Sequence, residues 1–169
     1  MACSAILDFD GTITDLEVNW EEVRNCLGVS RISDVWRYDA NSRIRLLNKI
    51  TEFELKGVRQ ELKLPVALIN SFDSYYIISN NSELAINSFY YGLETNERLK
   101  LKRPTMVVAR EKLQGPKEDF SIFKKWIETI LCNYADKPRS KLSYIGDQQY
   151  ELDYSELLGI QPIHVSRLK

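Results

Sequence analysis

The sequence has few cysteines and no pattern among them. Cys3, Cys26 and Cys132 are odd in number and widely spaced, with no CxxC pair. That argues against a disulfide framework and a cysteine-built zinc site. Buried or half-buried free thiols are the expectation, which suits a reducing compartment. No apolar run is long enough to span a bilayer. The opening residues lack a basic stretch followed by a long apolar one, so the chain is expected to stay in the cytosol. Charge of one sign is missing too. The 23 basic residues are balanced by 24 acidic ones, for a net charge of −1, which excludes the one-sided basic field of a nucleic-acid binder. Internal repeats and polar low-complexity tails are absent. What remains, 169 residues of which 44% are hydrophobic, is enough for one compact domain with a core and a small inserted module.

Five short apolar runs read as strands: 3–8, 75–79, 105–109, 142–146 and the weaker 161–165. Runs this short, bounded by turn residues, suit strands buried on both faces of a parallel sheet. Helical periodicity lies between them at 82–92, 118–133 and 150–158. The second carries Phe120, Phe123, Ile127, Ile130 and Leu131. The third carries Leu152, Leu157 and Leu158 before Gly159. Alternating strand and helix predict an α/β class with right-handed crossovers. Residues 14–64 break the alternation. Asn19 and Glu22 resemble a capping box, with Gly28 closing that helix. A second helix is expected at about 33–38. A third, at about 42–56, has Ile44, Leu47, Ile50 and Phe53 on one side and Gly57 at its end. Pro65 restarts the chain toward the second strand. The division expected is a core of 1–13 and 65–169 with a helical cap inserted at 14–64.

The sharpest local signal is Asp8-Phe9-Asp10-Gly11-Thr12, directly after the first strand. Ligands of an open parallel sheet bind beyond the carboxyl ends of its strands. Two carboxylates two positions apart at such an end suit a nucleophile with a proton-transfer partner, and a hard cation. Asp10-Gly11 alone would read as a turn. The whole pentapeptide arises by chance in roughly one chain in a thousand.

This pentapeptide resembles the first motif of the haloacid dehalogenase (HAD) superfamily, and three further segments resemble the rest in the family's order. Tyr-Tyr-Ile-Ile-Ser79-Asn80 is an apolar strand ending in Ser-Asn. Gly115-Pro116-Lys117-Glu118-Asp119 sets a lysine before a helix. Tyr144-Ile145-Gly146-Asp147-Gln148-Gln149-Tyr150-Glu151 is a strand ending in Gly-Asp with an acid four residues on. Taken singly, Ser79 reads as a helix cap, Lys117 as a surface lysine and Gly146-Asp147 as a turn. The resemblance covers nearly the whole chain apart from 14–64. It implies a three-layer α/β/α, Rossmann-like sheet of about five strands, with the first strand near the middle and a small helical cap over the site.

The resemblance also implies a chemistry. Asp8 would attack phosphorus and form an aspartyl-phosphate, and Asp10 would act as acid and then base. Mg²⁺ would be held by Asp8, the carbonyl of Asp10 and Asp147. Ser79 and Lys117 would hold the phosphoryl oxygens, helped by the backbone N–H groups of Phe9 and Asn80. Glu151, preferred over Asp153 for the second acid, would orient a metal-bound water or Lys117 from behind. An acid at Asp10 is not needed by a dehalogenase and points to phosphate esters. The expected partner is a small-molecule phosphate ester, with no nucleic acid and no membrane. A phosphomutase, or a phosphate-binding regulator without turnover, shares these motifs, and oligomeric state stays open. His164, the single histidine, reads as a packing or surface residue. Trp20, Trp36 and Trp126 read as fillers of apolar gaps. Arg43, Arg45 and Lys49 read as a solvated basic face within reach of a second substrate anion.

Overall fold

The computed structural model describes residues 4–94, 101–132 and 141–168, so Cys3 and position 133 of the expected elements lie outside the described residues. Five parallel strands form one sheet: β1 (Ser4–Leu7), β2 (Tyr75–Ile78), β3 (Met106–Val108), β4 (Leu142–Gly146) and β5 (Gln161–His164). Their order is β3-β2-β1-β4-β5, which puts β1 in the middle as expected. Ile6 stands in register with Tyr76 on one side and Tyr144 on the other.

Strand side chains alternate between two apolar layers. Ala5, Leu7, Tyr75 and Ile77 face one way. They pack on α3 (Val66–Ser71) and α4 (Glu83–Glu94) through Ile69, Ala85, Ile86 and Phe89. Ile6, Tyr76, Ile78, Leu142 and Tyr144 face the other way. They meet α5 (Arg110–Leu113), α6 (Phe120–Cys132) and α7 (Gln149–Leu157) through Leu113, Phe123, Ile127 and Leu152. Full burial of each large side chain here is worth roughly 1.5–3 kcal/mol. The result is the expected three-layer α/β/α sandwich. No helix among the described residues is long and apolar enough to cross a membrane.

Between β1 and β2 the chain builds α1 (Trp20–Leu27), a 3₁₀ turn over Ile32–Arg37, and α2 (Ala40–Gly57). The side chain of Asn19 caps α1 by accepting from Glu22 N, and Gly28 ends it at φ 67°. Val23, Val35 and Ile50 form a separate small core, edged by Trp20, Trp36, Leu47 and Phe53. The backbone of Gly57 runs against that of Glu17, whose carbonyl oxygen would lie 2.9 Å from a Cβ on Gly57. Only a residue without a side chain lets the two connecting segments approach so closely. The expected second helix at about 33–38 is present as this 3₁₀ turn.

Several expectations are corrected. Ile44, Phe120 and Leu157 were assigned to apolar stripes but are exposed. Phe120 and Leu157 stand in the first and last turns of their helices, and Ile44 faces outward from the start of the second turn of α2. Cys26 and Cys132 are also exposed rather than buried or half-buried, each on the outer side of its helix. The short α3 and α5 and a 3₁₀ turn over Val165–Leu168 were not anticipated. Each is too brief to show a period.

Candidate active site

The site forms where β1, β2 and β4 end. Asp8 N donates to Ile145 O at 2.9 Å, which carries the β1–β4 ladder one residue past β1. The chain then turns sharply. Phe9 O accepts from the N–H groups of Thr12, Ile13 and Thr14, and Gly11 N donates to Thr14 O at 2.8 Å. Gly11 takes φ 82°, and a Cβ there would overlap the carboxylate of Asp147. The glycine therefore serves two ends, a left-handed turn and room for an acid from β4. The ring of Phe9 is buried edge-on against Phe89, which leaves only its backbone at the site.

Lys117 reaches the same point from the turn before α6. Its Nζ lies 2.5 Å from Asp8 Oδ1 and 2.5 Å from Glu151 Oε1. All three side chains are buried. Glu151, in the first turn of α7, also accepts from the hydroxyls of Tyr144 at 2.9 Å and Tyr150 at 3.0 Å. Burial first, then the Glu151 charge, push both phenols well above their usual range, so both stay donors. Asp153 instead bonds Gln149 on the exposed side of α7.

Asp8, Asp147 and Glu151 bring carboxylate oxygens within 4.8 Å of one another. Asp147 Oδ2 accepts from Gln148, while its Oδ1 is buried without a partner. An orphaned buried carboxylate oxygen beside two other acids is costly. An all-oxygen donor set of this kind fits a hard divalent cation. The carboxylate of Asp10 stays outside the cluster and accepts from Leu16 N at 2.8 Å.

The two aspartates of the first motif sit in different surroundings. Burial raises the Asp8 pKa, the Glu151 charge adds to this, and Lys117 pulls the other way. Burial opposes the Lys117 ammonium, but the charges of Asp8 and Glu151 outweigh it and raise its pKa. Asp10 is pushed up to about 6, chiefly by burial and against the Leu16 hydrogen bond. Near neutral pH it stands close to the midpoint that proton transfer needs.

The loop after β2 holds Ser79 and Asn80. Ser79 does not cap the next helix. Its Oγ donates to Asn81 Oδ1 at 2.7 Å, and Ser82 Oγ instead accepts from Ala85 N in the first turn of α4. Four residues separate strand and helix, so the cap falls later than a Ser-Asn reading places it. Asn80 Oδ1 accepts from Lys117 N at 2.9 Å, joining this loop to the lysine turn. His164 Nε2 lies 3.2 Å from the carbonyl oxygen of Asp147, and Ser166 N donates to its Nδ1. Both contacts fit the tautomer protonated at Nε2, which ties β5 to the Asp147 turn.

A cleft of about 610 Å³ opens above these residues, between the strand ends and the helices of 20–54. Trp20 and Trp36 line it as well as edging the small core, whereas Trp126 packs in the sheet layer. The basic residues on the cleft's helical side are Arg24 and Arg31, not Arg43, Arg45 or Lys49. Two lining residues were missed, Glu54 and Arg110, which form a buried ion pair with Nη1 2.8 Å from Oε1. One signal was available. Glu54 lies four residues after Ile50 and three before Gly57, a charge on the buried stripe of α2.

No family model and no curated protein sequence matches the chain. Solved structures do. YfnB from Bacillus subtilis, assigned to the HAD-hydrolases and bound to magnesium, has a TM-score of 0.57 at 14% identity, over 95% of this chain and 87% of that one. CbbY from Rhodobacter sphaeroides, in complex with phosphate, has 0.58 at 13%, over 97% and 86%. A 2-haloacid dehalogenase from Pseudomonas syringae has 0.52 at 14%, over 97% and 86%. These likenesses define the class of fold, a three-layer α/β/α sandwich. It is the fold of the haloacid dehalogenase superfamily.

Proposed function

We propose that this chain is a HAD-type phosphohydrolase that takes a phosphoryl group from a small-molecule ester onto Asp8. The observation that carries the reading is the pair Asp8 and Asp10. One carboxylate lies against Lys117, and the other is held apart with a pKa of about 6. Two adjacent acids pushed into different roles are what a nucleophile and a general acid require. A dehalogenase has no need of the second, so Asp10 favours phosphate esters over the haloacid chemistry of some structural neighbours.

In the first step an Asp8 carboxylate oxygen attacks phosphorus and the bond to the ester oxygen breaks. Asp10 gives its proton to that leaving oxygen. In the second step water attacks the aspartyl-phosphate, Asp10 takes the water's proton, and the bond to Asp8 breaks to release phosphate. Lys117 holds a phosphoryl oxygen while Glu151 and its two tyrosines keep the lysine in place. Ser79 and the N–H groups of Phe9 and Asn80 hold the remaining oxygens. Mg²⁺, bound by Asp8, Asp147 and the Asp10 carbonyl, would offset the repulsion between anionic nucleophile and anionic substrate.

We assign residues 14–64 as a cap that excludes water and selects the substrate. A cleft roofed by two tryptophans admits a small molecule more readily than a folded protein. Two exposed free thiols suit the cytosol. The test is phosphate release from a panel of aryl, sugar and nucleoside phosphates with Mg²⁺. Turnover by the wild type and none by Asp8→Asn is expected. A wild type that releases phosphate from no member of the panel sinks the reading.

A further inference from the structure

Glu54 belongs to α2, outside the four motifs, yet it is fully buried against the loop that carries Ser79 and Asn80. Its two carboxylate oxygens accept from four donors on two other segments. Arg110 supplies Nη1 to Oε1 at 2.8 Å and Nη2 to Oε2 at 3.1 Å. The loop after β2 supplies Asn81 Nδ2 at 3.2 Å and the backbone N–H of Ser82 at 3.1 Å. Arg110 is equally committed. Its Nη2 also donates to Thr51 Oγ1 at 2.6 Å, and its backbone N donates to Asn81 O at 2.9 Å.

A buried ion pair is a poor stability device, since apolar residues of similar size usually serve as well. This one has a geometric consequence instead. Asn81, gripped by Glu54, accepts from Ser79 Oγ, and its own N–H donates back to that oxygen. Asn80, whose carbonyl receives Arg110 Nη1 at 3.3 Å, holds the backbone of Lys117. An unbroken set of hydrogen bonds therefore runs from α2 to Ser79 and to the backbone of Lys117, two of the residues assigned above to the phosphoryl oxygens.

We propose that Glu54 is a positioning residue for phosphoryl transfer. From α2 it clamps the loop 79–82 through Asn81, Ser82 and Arg110, and so sets Ser79 and Lys117 for the substrate. The inference rests on the phosphohydrolase reading. It also implies that the base of α2 stays on the core during turnover.

Two variants of the full chain test it, with p-nitrophenyl phosphate and Mg²⁺ for kinetics and amide hydrogen exchange for the loop. Glu54→Gln keeps the shape but loses an acceptor. The double variant Glu54→Leu/Arg110→Met removes both charges and leaves neither buried alone, which protects folding. Both are expected to lower kcat/KM at least tenfold at temperatures well below their melting points. Both should also speed exchange at the amides of Ser82 and Lys117 at least tenfold, with β4 and α6 unchanged. A merely structural pair predicts a lower melting temperature with kcat/KM intact, and that result overturns the proposal. Wild-type turnover with unimpaired variants defeats this inference alone, whereas a wild type without turnover defeats the function it rests on. In either case the exchange rates decide whether Glu54 holds the loop.

Discussion

Lys117 Nζ and Asp8 Oδ1 meet at 2.5 Å, buried, across 109 positions of sequence. Glu151 completes the group on the far side of the lysine. Two carboxylates and one ammonium in a buried site leave a net negative charge, and the ammonium is what lets the carboxylates coexist.

Removing that ammonium exposes the repulsion. In Lys117→Met without divalent metal, Asp8 and Glu151 face each other without a counter-charge. Breaking a buried pair costs roughly 3–5 kcal/mol, which for a domain of this size lowers Tm by about 10 °C. Mg²⁺ is expected to restore more of the loss in the variant than it adds to the wild type. Thermal melts with and without Mg²⁺ check this, and equal melting points in metal-free buffer would contradict it.

Gly11→Ala tests the contact with Asp147. The left-handed φ of 82° costs an alanine roughly 1–2 kcal/mol. The added methyl must also displace the Asp147 carboxylate. We expect a modest loss of stability together with at least a tenfold loss in apparent Mg²⁺ affinity, read as the metal-dependent rise in Tm. An alanine variant with wild-type metal response would show that Asp147 binds no cation there.

Asp10 links stability to pH. Its carboxyl titrates near 6 when folded, against an ordinary 3.8. Between those values the folded state holds more protons than the unfolded one, so stability falls as pH rises and levels off above about 6. The change amounts to on the order of 3 kcal/mol. Asp10→Asn removes it. Urea denaturation in EDTA should show the variant gaining on the wild type from about pH 4 to pH 7. A constant difference across that range would mean Asp10 is not perturbed.

Ile127→Ala separates packing from chemistry. Ile127 is fully buried between α6 and the sheet. Its truncation should cost roughly 2–5 kcal/mol. KM for an aryl phosphate should hold within a factor of two, because no part of Ile127 reaches the cleft. A changed KM with unchanged stability would reverse that assignment.

The strands were legible because buried parallel strands are short and apolar, whereas the central place of β1 came only from the resemblance, and three of the strands run into residues of distinct chemistry. Asp8, Ser79 and Asp147 all stand at such ends. Glu151 was legible from its spacing after Asp147, since one helical turn returns a side chain to the strand end. Glu54 and Arg110 were not singled out. Glu54 stands on the buried stripe of α2 with Ile50 and Gly57, but its partner Arg110 looks like an ordinary surface charge, and 56 positions separate them. The capping role of Ser82 was hidden for a different reason, because helix starts depend on how tightly a loop turns.

Local sequence alone determined the strand pattern, the Asp8-to-Thr12 turn and the chemical types gathered at the strand ends. Those features depend on neighbours within a few residues and on the two-residue and 3.6-residue periods of the backbone. Tertiary structure alone decided that Lys117 points between Asp8 and Glu151, that Asp10 turns away to Leu16, and that α2 sends a carboxylate into the core. The first and last of these are set by partners far along the chain, and the second by how the Asp8-to-Leu16 loop is buried against the rest of the fold.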